Sequence, residues 1–191
     1  MSSITSVGPR TLADVIPGGL VRDVALVAGG AILVGLSALV VIPLPFTPIP
    51  LSLQTLAVLL VGSALGSVRG LISMALYLVV GMAGFGWFAQ GRSGWEFASF
   101  GYVLGFLLAA ALVGKLAERG LDRSPLKTAG AMALGNLAIY AVGVPWLMAY
   151  AGISLLQALA LGVLPFLIGD AIKIIVAAGL LPATWKLVNR R

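Results

Sequence analysis

Apolar runs long enough to cross a lipid bilayer follow one another along almost the whole chain, each closed by a short polar or Gly/Pro-rich break. A helix that spans the bilayer core needs about 20 apolar residues, so a chain of 191 residues has room for about six spans and short connections. Composition agrees: 60% of the residues are hydrophobic and 9% charged, against roughly 25% charged in an ordinary soluble domain. A single soluble core of this size has no place for so much apolar surface. The expectation is an all-α integral membrane protein with six transmembrane helices in one compact domain and no soluble catalytic domain.

The net charge of +6 is not gathered into a patch, so no nucleic-acid partner is expected. The basic residues instead punctuate the apolar runs, which is how membrane topology is encoded, and the lipid bilayer is the partner they imply. With no cysteine there are no disulfides and no thiolate chemistry. With no histidine the commonest general base and metal ligand is missing. Six scattered acids remain, so no catalytic residue, metal or cofactor is expected.

The polar stretch Met1 to Gly19 lacks the apolar segment and cleavage site of a signal peptide. Residues 1–23 read as a cytoplasmic N-terminal segment, 24–187 as the membrane domain and 188–191 as a cytoplasmic tail. The first span is expected from Val24 to Ile42. Pro43 to Pro50 holds four prolines in eight residues, which excludes a regular helix and predicts an ordered loop. A second helix is expected from Leu53 to Leu65, a turn over 66–70, and a third helix from Leu71 to Met82. These two, at roughly 13 and 12 residues, are too short for a full span and are tolerated only where flanking backbone is buried or lines a cavity.

Ala83 to Ser99 is rich in glycine and aromatic residues, and long loops of this kind in compact domains are functional or mobile. A fourth helix follows over 101–117, a polar loop over 118–127, and a fifth helix over 128–150 with Pro145 as a kink. A short helix is expected within 152–162 and a sixth span over 166–187. With an even number of spans both termini share a side. That side then carries ten of the twelve basic residues, which makes it cytoplasmic by the positive-inside rule.

Two charges interrupt apolar sequence, Asp170 and Lys173. Their spacing of three puts both on one helix face, about 6–10 Å below the outer end of the sixth span at 1.5 Å per residue. A lone charge at the bilayer centre costs about 2.5–3.5 kcal/mol, less at this depth, so both must face protein or a wet cavity. One reading is an ion pair that only neutralises itself. The other is a pocket: Arg92 is the one basic residue in an outer loop, and two long outer connections are available as lids. One carboxylate and two cations among apolar walls suit a small anion that also carries N–H donors, with Lys173 and Arg92 on the anion and Asp170 accepting from the donors. Asn136 and Tyr140, four apart on the fifth helix, are candidates for cross-helix bonds or ligand contact. Gln54 and Thr55, at the start of the second helix, suit capping or ligand contact. Tyr102, Trp87, Phe88 and Trp95 have the character of interface anchors, with Trp87 and Phe88 also placed to close over a ligand. On the first span Ala28, Ala31 and Gly35 form a small-residue face that lets another helix approach closely, in a partner or within the chain.

Three stretches carry a family resemblance: Ile42-Pro-Leu-Pro-Phe-Thr-Pro-Ile-Pro-Leu-Ser-Leu-Gln-Thr55, Gly101-Tyr-Val-Leu-Gly-Phe106 and Val163-Leu-Pro-Phe-Leu-Ile-Gly-Asp-Ala-Ile-Lys173. They resemble the BioY family, the biotin-binding S components of energy-coupling factor (ECF) transporters, over about 24–187. The resemblance implies the compact S-component fold and capture of biotin from the outer side. It also implies a transmembrane T component and two cytoplasmic ABC-type ATPases as partners, with ATP used by those subunits and no cofactor in this chain. No P-loop occurs here. Within this resemblance Asp170 accepts from the ureido N–H groups of biotin, Lys173 and Arg92 hold its carboxylate, and Gln54, Thr55, Trp87, Tyr102 and Asn136 complete the site. Ala28, Ala31 and Gly35 contact the T component, and a homo-oligomer is a further possibility. Before the fourth helix the chain has Ala98-Ser99-Phe100-Gly101-Tyr102 where the family leads one to expect Gly-Pro-Thr-Gly-Gly-Tyr. Two alternatives stay open: an S component for another small vitamin, and an intramembrane enzyme with Asp170 as base.

Overall fold

The computed structural model describes residues 10–189, so Arg190, Arg191 and most of the polar N-terminal segment lie outside the described residues. The element order is α1 (Leu20–Ser37), β1 (Val41–Ile42), β2 (Leu51–Ser52), α2 (Gln54–Leu65), α3 (Ser67–Met82), α4 (Phe100–Glu118), α5 (Pro125–Ala151), α6 (Leu155–Gly162) and α7 (Leu167–Val188). Four helical stretches are long and apolar enough to cross a membrane: Leu20–Ser37, Phe100–Glu118, Pro125–Ala151 and Leu155–Val188. α2 and α3 are shorter, at 12 and 16 residues. α4 is central and packs on α2, α3 and α5; α1 lies outside against α3 and α2, and α7 outside against α5 and α2.

Several element ends differ from the sequence expectation, each for a physical reason. α1 starts at Leu20 rather than Val24, because Arg22 and Asp23 are paired at 2.7 Å and fit its first turn, where an acid meets the positive end of the helix dipole. It ends at Ser37, five residues before Ile42. Ile42 precedes a proline and is extended rather than helical, and β1 pairs antiparallel with β2, Val41 opposite Ser52 and Ile42 opposite Leu51. The proline-rich stretch is thus the tip of a short hairpin, fastened to the end of α6 by Thr47 Oγ1, which donates to Leu161 O at 2.6 Å.

α3 starts at Ser67 rather than Leu71, and the expected turn shrinks to Gly66. Its φ of +86° and ψ of 177° are open to glycine alone. Glu118, from the end of α4, accepts from Ser67 N at 2.8 Å and Ser67 Oγ at 2.6 Å, which supplies the missing N-cap from another helix. α5 starts at Pro125, a favoured first helical position where the absent N–H is not needed.

One end of the bundle collects most of the charge. Arg69 bonds Asp14 and Asp23, both at 3.0 Å, and ties the 3-10 turn Leu12–Val15 to α1 and α3. Burial alone would raise the Asp14 carboxyl, but hydrogen bonds from Arg69 and Thr11 hold it below its ordinary value. In the 3-10 turn Leu121–Arg123, Asp122 is buried and accepts from Trp185 Nε1 of α7 at 2.5 Å, with its other oxygen unpartnered. Here burial outweighs the indole bond, and the carboxyl is raised.

Candidate functional site

At the opposite end, the hairpin, the first turns of α2, α4 and α7, the middle of α5 and the loop over 83–99 enclose a cavity of about 620 Å³ including its open mouth. Its walls are mainly apolar, with Phe88, Phe97, Phe106, Ile139 and Phe166 prominent. This is the composition of a small-molecule site, a mostly apolar cleft with a few placed polar groups.

Those polar groups form one line across three helices. Lys173 Nζ of α7 donates to Thr55 Oγ1 of α2 at 2.7 Å and lies 3.4 Å from Asp170 Oδ1. The other Asp170 oxygen accepts from Tyr140 OH of α5. One helical turn before Tyr140, Asn136 is 6% exposed and its Oδ1 has no partner. An orphaned buried amide oxygen is costly and marks a place where a donor is wanted. Gln54 is 3% exposed and committed elsewhere: Nε2 donates to Tyr77 OH at 2.5 Å, and that hydroxyl donates to Trp87 O at 3.1 Å. The Tyr102 hydroxyl donates to Gly162 O at 3.0 Å, joining α4 to the end of α6.

Six of the eight residues expected to meet substrate therefore line one cavity: Gln54, Thr55, Tyr102, Asn136, Asp170 and Lys173. Arg92 and Trp87 do not. The Arg92 guanidinium lies 5.6 Å from the Phe97 ring centroid, on a residue that lines the cavity but not in the cavity itself. Lys173 and Arg92 are thus not brought together on one anion. The Trp87 ring packs against α1, where a Cβ on Gly35 would come within 2.9 Å of it, and its Nε1 donates to Tyr77 O at 2.9 Å. Phe88 enters the cavity in its place and is 1% exposed. Neighbours in extended backbone point to opposite sides, so only one of the pair can face inward.

The small-residue face of α1 is also used differently from the expectation. Ala31 is 0% exposed and Gly35 is buried under Trp87, so neither offers surface to another protein in this conformation. Ala28 is half-buried in the groove between α1 and α3, and the small residues exposed on this helix are Ala25 and Gly29. Small side chains here let an indole and α3 approach closely. Sequence reasoning passed over Val103, Phe106 and Phe166. For Val103 and Phe106, spaced three apart and next to Tyr102, the helical period carried the signal.

The comparisons with known proteins bear on this pocket. The model of the BioY family matches residues 6–190. The chain belongs to the BioY family. Biotin transporter BioY of Rhizobium etli is 35% identical over 168 residues, covering 82% of this chain and 89% of that protein. Biotin transporter BioY of Thermotoga maritima is 34% identical over 140 residues, covering 72% and 81%. A crystal structure of the S-component for biotin from an ECF-type ABC transporter superposes with a TM-score of 0.77 at 26% identity, over 87% of this chain and 92% of that one. The fold described above is thus that of an S component, and this BioY chain is a multi-pass membrane protein.

Proposed function

We propose that this BioY chain captures biotin from the outer side of the cytoplasmic membrane and is the specificity subunit of an ECF importer. Six spans place both termini and the Asp14–Arg69–Asp23 end in the cytoplasm, with the membrane domain running from Leu20 to Val188. A transmembrane T component and two cytoplasmic ATPases supply the energy, in keeping with the absence of a P-loop from this sequence. The chain itself is a transport protein, not an enzyme.

The observation that carries the reading is the polar line Thr55–Lys173–Asp170–Tyr140 in an otherwise apolar cavity of a BioY protein. Biotin offers a cyclic urea with two N–H donors and one carbonyl acceptor, an apolar bicycle, and a carboxylate at the far end of its chain. Lys173 and Asp170 are 3.4 Å apart, so as they stand they meet the same end of an extended ligand rather than opposite ends. That end is the urea. Lys173 donates to the carbonyl oxygen, Asp170 Oδ1 and Asn136 Oδ1 accept from the two N–H groups, and the phenylalanine walls bury the bicycle. The carboxylate then extends toward the mouth, where Arg92 on the outer side of Phe97 is the nearby cation. This revises the sharing of the anion between Lys173 and Arg92 that sequence suggests.

The test is labelled-biotin binding to the detergent-purified chain, with desthiobiotin, biotin methyl ester, thiamine and riboflavin as competitors. Binding displaced by the ureido compounds and not by the other vitamins is the expected result. Folded protein that binds no biotin would overturn the assignment, and displacement by thiamine or riboflavin would move it to another vitamin.

A further inference from the structure

In a cavity walled by phenylalanine and aliphatic side chains, a lysine and an aspartate on one helix face should close into a contact ion pair. Attraction between unit charges grows steeply as the dielectric falls, and a lysine side chain is flexible enough to follow it. This pair is made, but loosely: Lys173 Nζ donates to Asp170 Oδ1 at 3.4 Å, long for a charge-assisted bond. Lys173 Nζ is nearer to Thr55 Oγ1, at 2.7 Å, than to Asp170 Oδ1, at 3.4 Å. The far oxygen of Asp170 is held by Tyr140 OH on a different helix. Each ion is thus drawn away from the other by a hydroxyl, one from α2 and one from α5.

The positions of the two hydroxyls are fixed by the fold. Thr55 sits in the first turn of α2, directly after the hairpin that closes the cavity, and Tyr140 lies on α5 with its ring edge-on to Tyr102, 6.2 Å between centroids. We propose that Thr55 and Tyr140 are positioning residues that hold the Lys173–Asp170 pair at its long contact of 3.4 Å, so that the pocket presents a separate donor and acceptor to an incoming cyclic urea. Without the Tyr140 hydroxyl, Asp170 Oδ2 loses its donor in a dry site, and Lys173 is the cation placed to replace it. Without the Thr55 hydroxyl, Lys173 loses its anchor on α2 and turns to Asp170. Either way the two charges satisfy each other and the ligand meets a closed pair.

This rests on the biotin reading of the pocket, and the experiment separates the two. Biotin affinity and thermal midpoint are measured for the full chain as wild type, Y140F, T55V and T55S, and for Y140F in a D170N background and T55V in a K173A background, at ligand concentrations raised to cover weakened sites. The expected result is a loss of about tenfold or more for Y140F and T55V at unchanged thermal midpoint, with T55S, which keeps the hydroxyl, close to wild type. Because each hydroxyl acts through its ion, Y140F should add less than about twofold to D170N, and T55V less than about twofold to K173A. Equal losses in both backgrounds, or T55V binding as well as T55S, would overturn the proposal while leaving the pocket's ligand in place. Wild-type protein that binds no biotin overturns the reading of the pocket and this proposal with it. Should Y140F fail to fold, the T55V and T55S comparison still decides.

Discussion

Asp170 and Asp122 are the same residue type in similar hydrogen-bonding situations, at opposite ends of one bundle. Each is buried and each accepts from one aromatic side chain of a neighbouring helix, Tyr140 OH for Asp170 and Trp185 Nε1 for Asp122. The surroundings separate them. Asp170 borders a cavity and has a cation within reach that is also held elsewhere. Asp122 is 1% exposed behind the indole, with the Arg123 guanidinium stacked 4.4 Å from the centroid of that ring. Burial of an acid is therefore not what makes a site in this protein. Access, and neighbours that can exchange partners, make one; the other acid is a fastening between the 3-10 turn Leu121–Arg123 and α7.

Substitutions can break this contrast in graded steps. The largest effect is expected from D170N and K173A, each of which removes a charge-assisted bond from a dry site at about 1.5–3 kcal/mol, or about one to two decades of biotin affinity. Equilibrium binding checks it, and D122N in the same assay should bind as wild type. If D122N also lost affinity, the two ends would be coupled and the contrast would fail.

Next is W185F, which leaves Asp122 without its donor and costs about 1–3 kcal/mol. It should lower the thermal midpoint in detergent while biotin affinity at the lower temperature stays put. R92A should be milder. A half-exposed cation is worth about 1 kcal/mol or less, and the loss should be seen with biotin and be absent with its methyl ester, in parallel competition curves.

The smallest effect concerns pH. Burial raises the Asp122 carboxyl in the folded protein, so the folded state holds that proton more tightly than the unfolded chain. Its contribution to stability is present below the ordinary carboxylate range and declines as pH rises through the raised value. Thermal midpoints measured from mildly acidic to neutral pH should show that decline in wild type, and D122N should lose it. A steeper decline in D122N would put its origin elsewhere.

Much of the architecture is written in local sequence. Apolar run lengths mark the helices, four prolines in Pro43–Pro50 mark the non-helical lid, and the spacing of Asp170 and Lys173 fixes a shared face. What stayed hidden was decided by partners distant in the chain. Leu20 begins a helix because Arg69, far along the sequence, helps neutralise Asp23. Ser67 begins one because Glu118 caps it. Trp87 and Phe88 are adjacent large aromatics in sequence, and glycines on two different helices make room for each, Gly35 of α1 for the Trp87 ring and Gly81 of α3 for the Phe88 ring. Arg92 looked like a pocket cation because it stands alone among outer-loop bases, but its distance from Lys173 is a property of the folded loop. The position of Asp170 and Lys173 was thus legible, whereas the hydroxyls that hold them apart come from two other helices.

The indole of Trp87 bears on Gly35 from one side and, through Tyr77, on the pocket amide of Gln54 from the other. The pocket amide and α1 are thus joined through three side chains, Gln54, Tyr77 and Trp87. A methyl group at position 35 would come within 2.9 Å of the indole and so press on that connection from outside the pocket.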